Sequence, residues 1–190
     1  AREQTRPESR LRSKSAAGEI EVSDVDKARE NPEALFWEEV EDVNAGMLGV
    51  EGSGQHLQPM SPYSDPENAS IWFFTEKNAD LLDALGPDGG KAIFSVVSKS
   101  RDFFACATGE LIENLDRAKV DEYWNPVAAA WYAEGKDDPN LTLLQLKLED
   151  ASIWASSGNP FAFAWRIAKG NFSDDPPEDM GERNHFRFAA

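Results

Sequence analysis

Histidine and cysteine are nearly missing from this chain, and their scarcity removes whole classes of chemistry. The single cysteine, Cys106, cannot close an internal disulfide or build a thiolate metal site. It sits in Phe103-Phe104-Ala105-Cys106-Ala107, a setting that suits a small buried strand residue better than a reactive thiol. The two histidines, His56 and His185, are far apart in sequence and have no HxxxH or HxH neighbour, so no metal site is expected. No apolar run approaches the roughly 20 residues that span a bilayer. The first residues also lack the apolar core of an export signal, and the expectation is a soluble, cytoplasmic protein without a membrane partner. GxSxG, P-loop and strand-linked GxGxxG patterns are absent, and no residue stands out as a general acid or base. Asp137-Asp138 precede Pro139 and suit a turn better than catalysis, so catalytic residues stay unassigned.

Positive charge is scarce too. Lys and Arg total 19 against 35 Asp and Glu, a formal net charge of −16. Residues 1–14 hold five of the cations (Arg2, Arg6, Arg10, Arg12, Lys14) against Glu3 and Glu8, so the remainder is more acidic than the whole. A field of that sign repels polyphosphates and excludes nucleic acid as an expected partner. With Leu11 as its only large apolar residue, the basic stretch reads as a solvated arm.

What remains is enough for one domain: 190 residues, 41% of them apolar. Residues 1–30 read as a flexible polar arm whose end is compatible with a helix. Structure is expected from Asn31-Pro32-Glu33, a cap, a proline at the first helical position and an acid in the first turn. Leu35, Phe36, Val40 and Val43 continue it as an amphipathic helix ending near 44–46. Met47 to Val50 and His56 to Met60 read as short strands around Glu51-Gly52-Ser53-Gly54. Pro59 lacks an N–H for a ladder, which marks an edge or a break.

After a turn at Asp65 to Asn68, Ile71 to Thr75 forms a strong aromatic and β-branched strand. Asn78 is expected to cap a helix from Ala79 to Leu85, which stops at the glycines after it. Lys91 to Val97 and Phe103 to Glu110 form a meander. Val120, Tyr123, Trp124, Val127 and Trp131 then lie at helical spacing as one apolar stripe, expected mainly to pack. Pro126 interrupts it, giving either a kink or a fresh helix capped by Asn125. Leu141 to Leu148 alternates, with a phase slip between Leu143 and Leu144 that predicts a β-bulge. The strand is expected to run on through Ile153 and Trp154. Residues 160–169 are read as helix, Ser173 to Glu182 as an acidic loop, and His185 to Phe188 as a last short strand. Six strands with short helices argue for a mainly β, α+β domain, a closed or partly closed β-barrel over 31–170. Residues 171–190 then form the acidic loop and a C-terminal strand or tail.

Several motifs in this order carry a resemblance to a family: the strand ending in Pro59-Met60, Ile71-Trp72-Phe73-Phe74-Thr75, Asp121-Glu122-Tyr123-Trp124-Asn125-Pro126, Ala130 to Leu141, and Ala151-Ser152-Ile153-Trp154. Together they resemble the general stress proteins of the pyridoxamine 5'-phosphate oxidase-like, FMN-binding split barrels. The resemblance implies a six-stranded split β-barrel, a homodimer, and flavin mononucleotide (FMN) in a groove between subunits. It further implies that Gln58, Pro59 and Met60 line the flavin ring, and that Phe74, Thr75 and the helix start at Asn78 meet the ribityl chain and phosphate. Where the family usually carries arginine, serine and lysine, this chain has Gln58, Ala79 and Leu81, with Lys77 as a nearby cation. Two readings follow: a flavin-binding stress protein with weak oxidoreductase activity, or a non-catalytic barrel that has lost tight FMN binding or holds another ligand.

Overall fold

The computed structural model describes residues 23–156 and 181–189. The first 22 residues of the expected arm, the expected helix at 160–169 and most of the acidic loop lie outside the described residues. Ser23 accepts a hydrogen bond from the Asp26 amide and starts α1 (Asp24–Glu30), which buries Val25 and Ala28. The packed body therefore reaches back before Asn31. Asn31 caps α2 (Pro32–Asp42) through Ala34, and Leu35, Phe36, Trp37 and Val40 turn inward.

Eight antiparallel strands follow: β1 (Gly46–Val50), β2 (Gln58–Met60), β3 (Tyr63–Asp65), β4 (Ser70–Glu76), β5 (Gly90–Val97), β6 (Phe103–Glu113), β7 (Leu141–Ala155) and β8 (Glu182–Arg187). Their order is β2-β1-β5-β6-β7-β4-β3, with β8 added to β7 beyond β4. The sheet curls into a half-barrel of the split-barrel type, mainly β with helical additions. One strand was not expected: β3, hidden in the turn-rich segment before Pro66. The expected last short strand is present as β8 but starts at Glu182, earlier than His185. β2 is an edge strand, with Pro59 opposite Met47, in accord with its missing donor. The described helices are all too short to cross a membrane.

Three further helices lie between strands: α3 (Asp80–Leu85), α4 (Arg117–Tyr123) and α5 (Pro126–Ala129). α3 corrects the expected cap. Its N-cap is Ala79, in an extended conformation, and neither Ala79 nor Asn78 supplies a side-chain cap bond. The Ala79 amide bonds back to the Glu76 carbonyl, closing a turn that delays the helix past Asn78. α5 is a fresh helix, because Asn125 is extended and its Oδ1 accepts from the amides of Val127 and Ala128. That break rotates the second half of the expected stripe outward: Val120 is buried, but Val127 and Trp131 are 65% and 76% exposed.

The expected bulge between Leu143 and Leu144 is not there, since β4 and β7 pair without a slip from Ser70↔Lys147 to Glu76↔Leu141. The run of leucines instead reflects a strand covered on both faces. Leu144, Leu146 and Leu148 join Ile71, Phe73 and the helices α1 to α3 in the main core. Leu141 and Leu143 join Trp72, Val120 and Tyr132 in a second core under α4 and α5. The irregularity lies further on, where Thr108 pairs with Asp150 but Gly109 with Leu148.

A candidate ligand groove between the β2–β4 edge and α5

The second core ends at an open groove of about 360 Å³. The end of β2 supplies Pro59 and Met60, followed by Ser61. β3 adds Tyr63, and β4 adds Phe74, Thr75 and Glu76, with Ala79 beyond it. Val127, Ala128, Trp131 and Tyr132 form the opposite wall. The antiparallel β3–β4 ladder sets Tyr63 against Trp72, and strand alternation sends Phe74 to the same side as Trp72.

Aromatic rings pack edge to face and stacked around this groove. Tyr63 meets Phe74 at 5.2 Å between centroids and stacks on Tyr123 at 5.3 Å, while Phe74 meets Trp124 at 5.8 Å. Asn125 Nδ2 donates to the Tyr63 hydroxyl at 3.0 Å, so the residue that starts α5 also positions a groove wall. Such rings favour a flat, partly apolar ligand through stacking and desolvation.

The groove's charge is negative. Burial pushes the Tyr132 phenol up to about 12, and the carboxylates of Glu76 and Asp138 add to the shift. Tyr132 therefore keeps its proton as a hydrogen-bond donor and is no base at neutral pH.

Of the residues expected at the site, Pro59, Met60, Phe74 and Thr75 come together on one wall. Gln58 lies on the same edge strand, opposite Leu48 and outside the lining. The Lys77 ammonium donates to the Pro139 carbonyl at 2.8 Å, and Asn78 stays in the turn before α3. Leu81 is buried in the main core, where a lysine head group has no place. Sequence reasoning missed Tyr63, Glu76, Trp131 and Tyr132. The available signal was Trp131-Tyr132 following Asn125-Pro126, whose helix break reorients everything after it.

A second cavity, of about 670 Å³, lies near Asp65 and Lys119. Its polar groups are largely matched to one another: Asn114 donates to Gln145, Gln145 to Ser70, and Trp72 to Asp65.

The family model described as pyridoxamine 5'-phosphate oxidase like matches residues 31–178. A protein described as a general stress protein 26 from Jannaschia sp. CCS1 is 36% identical, with 85% of this chain and 99% of that one covered and a TM-score of 0.70. The general stress FMN/FAD binding protein from Xanthomonas citri is 42% identical, over 67% of this chain and 89% of that one, with a TM-score of 0.60. A general stress family protein from Xanthomonas campestris pv. campestris is 39% identical, over 68% and 90%, with a TM-score of 0.61. Comparison with curated proteins finds no match. With this extent of matching, the chain belongs to the pyridoxamine 5'-phosphate oxidase-like family, in its general stress protein branch.

Proposed function

We propose that this general stress protein binds a flavin, with the isoalloxazine ring in the groove between the β2–β4 edge and α5. The aromatic enclosure formed by Tyr63, Phe74, Trp131 and Tyr132 carries this reading. Pro59 and Met60 add an edge strand with unpaired backbone groups beside it, suited to the ring's hydrogen-bonding rim. The flavin-binding relative from Xanthomonas citri supports the same assignment. When bound, a flavin supplies hydride chemistry, and the protein's part is orientation and exclusion of water. On this reading the protein is a weak flavin-dependent oxidoreductase.

The fit to FMN is partial. The walls suit the ring, but the one charged side chain among the described lining residues is Glu76, and none of them offers a cation for a phosphate. This favours the second reading as well, a binding protein that does not hold FMN tightly.

Dimerisation is part of the proposal. Met47, Val97, Phe104 and Trp154 stand 39–49% exposed on neighbouring strands, an apolar outer face that a second copy of the chain would cover. Light scattering that returns the mass of one chain would remove this part.

The deciding experiment is titration of cofactor-stripped protein with flavins, following quenching of flavin fluorescence. Saturation at one flavin per chain supports the assignment; no quenching up to ~100 µM, an affinity weaker than about −5.5 kcal/mol, removes it.

A further inference from the structure

We propose that the groove selects a flavin whose ribityl tail carries no phosphate, so that riboflavin binds in preference to FMN. The inference rests on the flavin reading above and concerns the charge of the tail. A phosphate monoester brings nearly two negative charges, and the charged groups described next to the ring wall carry the same sign. Glu76 lines the groove at the end of β4, exposed and without an ion-pair partner among the described residues. α3, which starts just after the lining residue Ala79, has six residues, and its first turn carries Asp80 and Asp83. The chain's own carboxylates thus occupy the end where an anion would be welcomed.

Among the described residues, the cations of the surrounding segments already have partners. Lys77 reaches the Pro139 carbonyl at 2.8 Å. Arg117 pairs with Asp137 at 2.6 Å, Lys136 with Asp121 at 2.5 Å, and Lys119 with Asp65 at 2.9 Å. The Tyr132 hydroxyl, inside the wall, senses the result: the charged side chains that act on it, Glu76 and Asp138, are both anionic. A hydroxylated, uncharged tail can exchange hydrogen bonds with Glu76, Thr75 and water. A dianion in the same place is repelled, the more so because the whole chain carries −16.

The test compares riboflavin and FMN on the full-length, cofactor-stripped protein at low ionic strength. Riboflavin is expected to bind at least tenfold tighter, with FMN affinity rising on addition of salt as the repulsion is screened. Glu76→Gln should narrow the gap, and Ala79→Lys, which adds a cation to the lining, should reverse it. FMN binding as tightly as riboflavin to the wild-type protein, or tighter, overturns the inference and leaves the flavin assignment standing. If neither flavin binds, both fall. The wild-type comparison decides even if a variant fails to fold.

Discussion

The Lys119 ammonium lies 2.9 Å from the Asp65 carboxylate, joining α4 to the end of β3. Asp65 is only 7% exposed and also accepts from Asn68 at 2.9 Å and Trp72 at 3.2 Å. Burial alone would push its carboxyl up; the donors Lys119, Asn68 and Trp72 outweigh burial and hold it below the ordinary range. Lys119→Met therefore strands a buried carboxylate and should cost about 3 kcal/mol. The double variant Lys119→Met, Asp65→Asn should lose less than the single one. Because the folded carboxyl is depressed, its contribution is present above about pH 4 and fades as pH falls through the folded value. Urea midpoints at pH 7 and pH 3 check this; a single variant as stable as wild type at pH 7 would show the pair contributes nothing.

Asn125 links stability to the groove. Its Oδ1 accepts from Val127 and Ala128, and its Nδ2 holds the Tyr63 hydroxyl. Asn125→Ala should destabilise by about 1–2 kcal/mol. It should also weaken flavin binding, whereas Asn125→Asp keeps the cap and removes only the Nδ2 donor that serves the Tyr63 hydroxyl and the Tyr123 carbonyl. Thermal melts and flavin titration, measured on both variants, separate the two roles.

Trp131 is 76% exposed, too open to contribute to the core. Trp131→Ala should change stability by no more than about 0.5 kcal/mol. As a wall of the groove it should still lower flavin affinity by roughly three- to tenfold, the value of one stacked ring. Unchanged affinity would take Trp131 out of the site.

Much of this architecture is legible in sequence because local signals agree with the fold. Asn31-Pro32 starts α2, Pro59 marks an edge strand, and Ile71 to Thr75 is a strand in any context. What failed did so where tertiary burial replaced local pattern. The leucines of β7 fill two cores, so alternation between them looks like a slip. Likewise the five-residue stripe ending at Trp131 has perfect helical spacing, but two extended residues at Trp124 and Asn125 put its last members on another face. Part of one wall of the groove was visible through Pro59, Met60, Phe74 and Thr75. Tyr63 and Tyr132 were not, because each reaches it through a turn whose direction no periodicity encodes.

The β6–β7 irregularity supplies a sharp packing test at Gly109. A Cβ added there would lie 2.0 Å from the Lys147 carbonyl oxygen, a backbone atom that cannot swing aside. Gly109→Ala should cost about 2–3 kcal/mol, mainly by forcing β6 and β7 apart. Gly52, in an open turn with nothing near its Cβ, is the control: only its φ of 72° resists alanine, and the penalty should be about 1 kcal/mol. Equal losses at the two positions would contradict the packing argument.

Glu39 sets the pH dependence near neutrality. Its carboxyl is raised from its ordinary 4.5 to about 7, first by burial and then by Asp24, Asp102, Glu38 and Asp42. An acid with a folded pKa above its unfolded one holds its proton more tightly in the fold. Stability is therefore greatest below about pH 4.5 as far as this group is concerned, and declines as pH rises through 7. Glu39 is only half-buried, so solvent screening limits the loss to about 1 kcal/mol. Glu39→Gln should remove that slope, making the variant more stable than wild type at pH 8 and nearly equal to it at pH 5. Chemical denaturation at the two pH values decides: a wild-type protein no more stable at pH 5 than the depressed acids elsewhere allow, with Glu39→Gln running parallel to it, would show that Glu39 stays ionised in the fold.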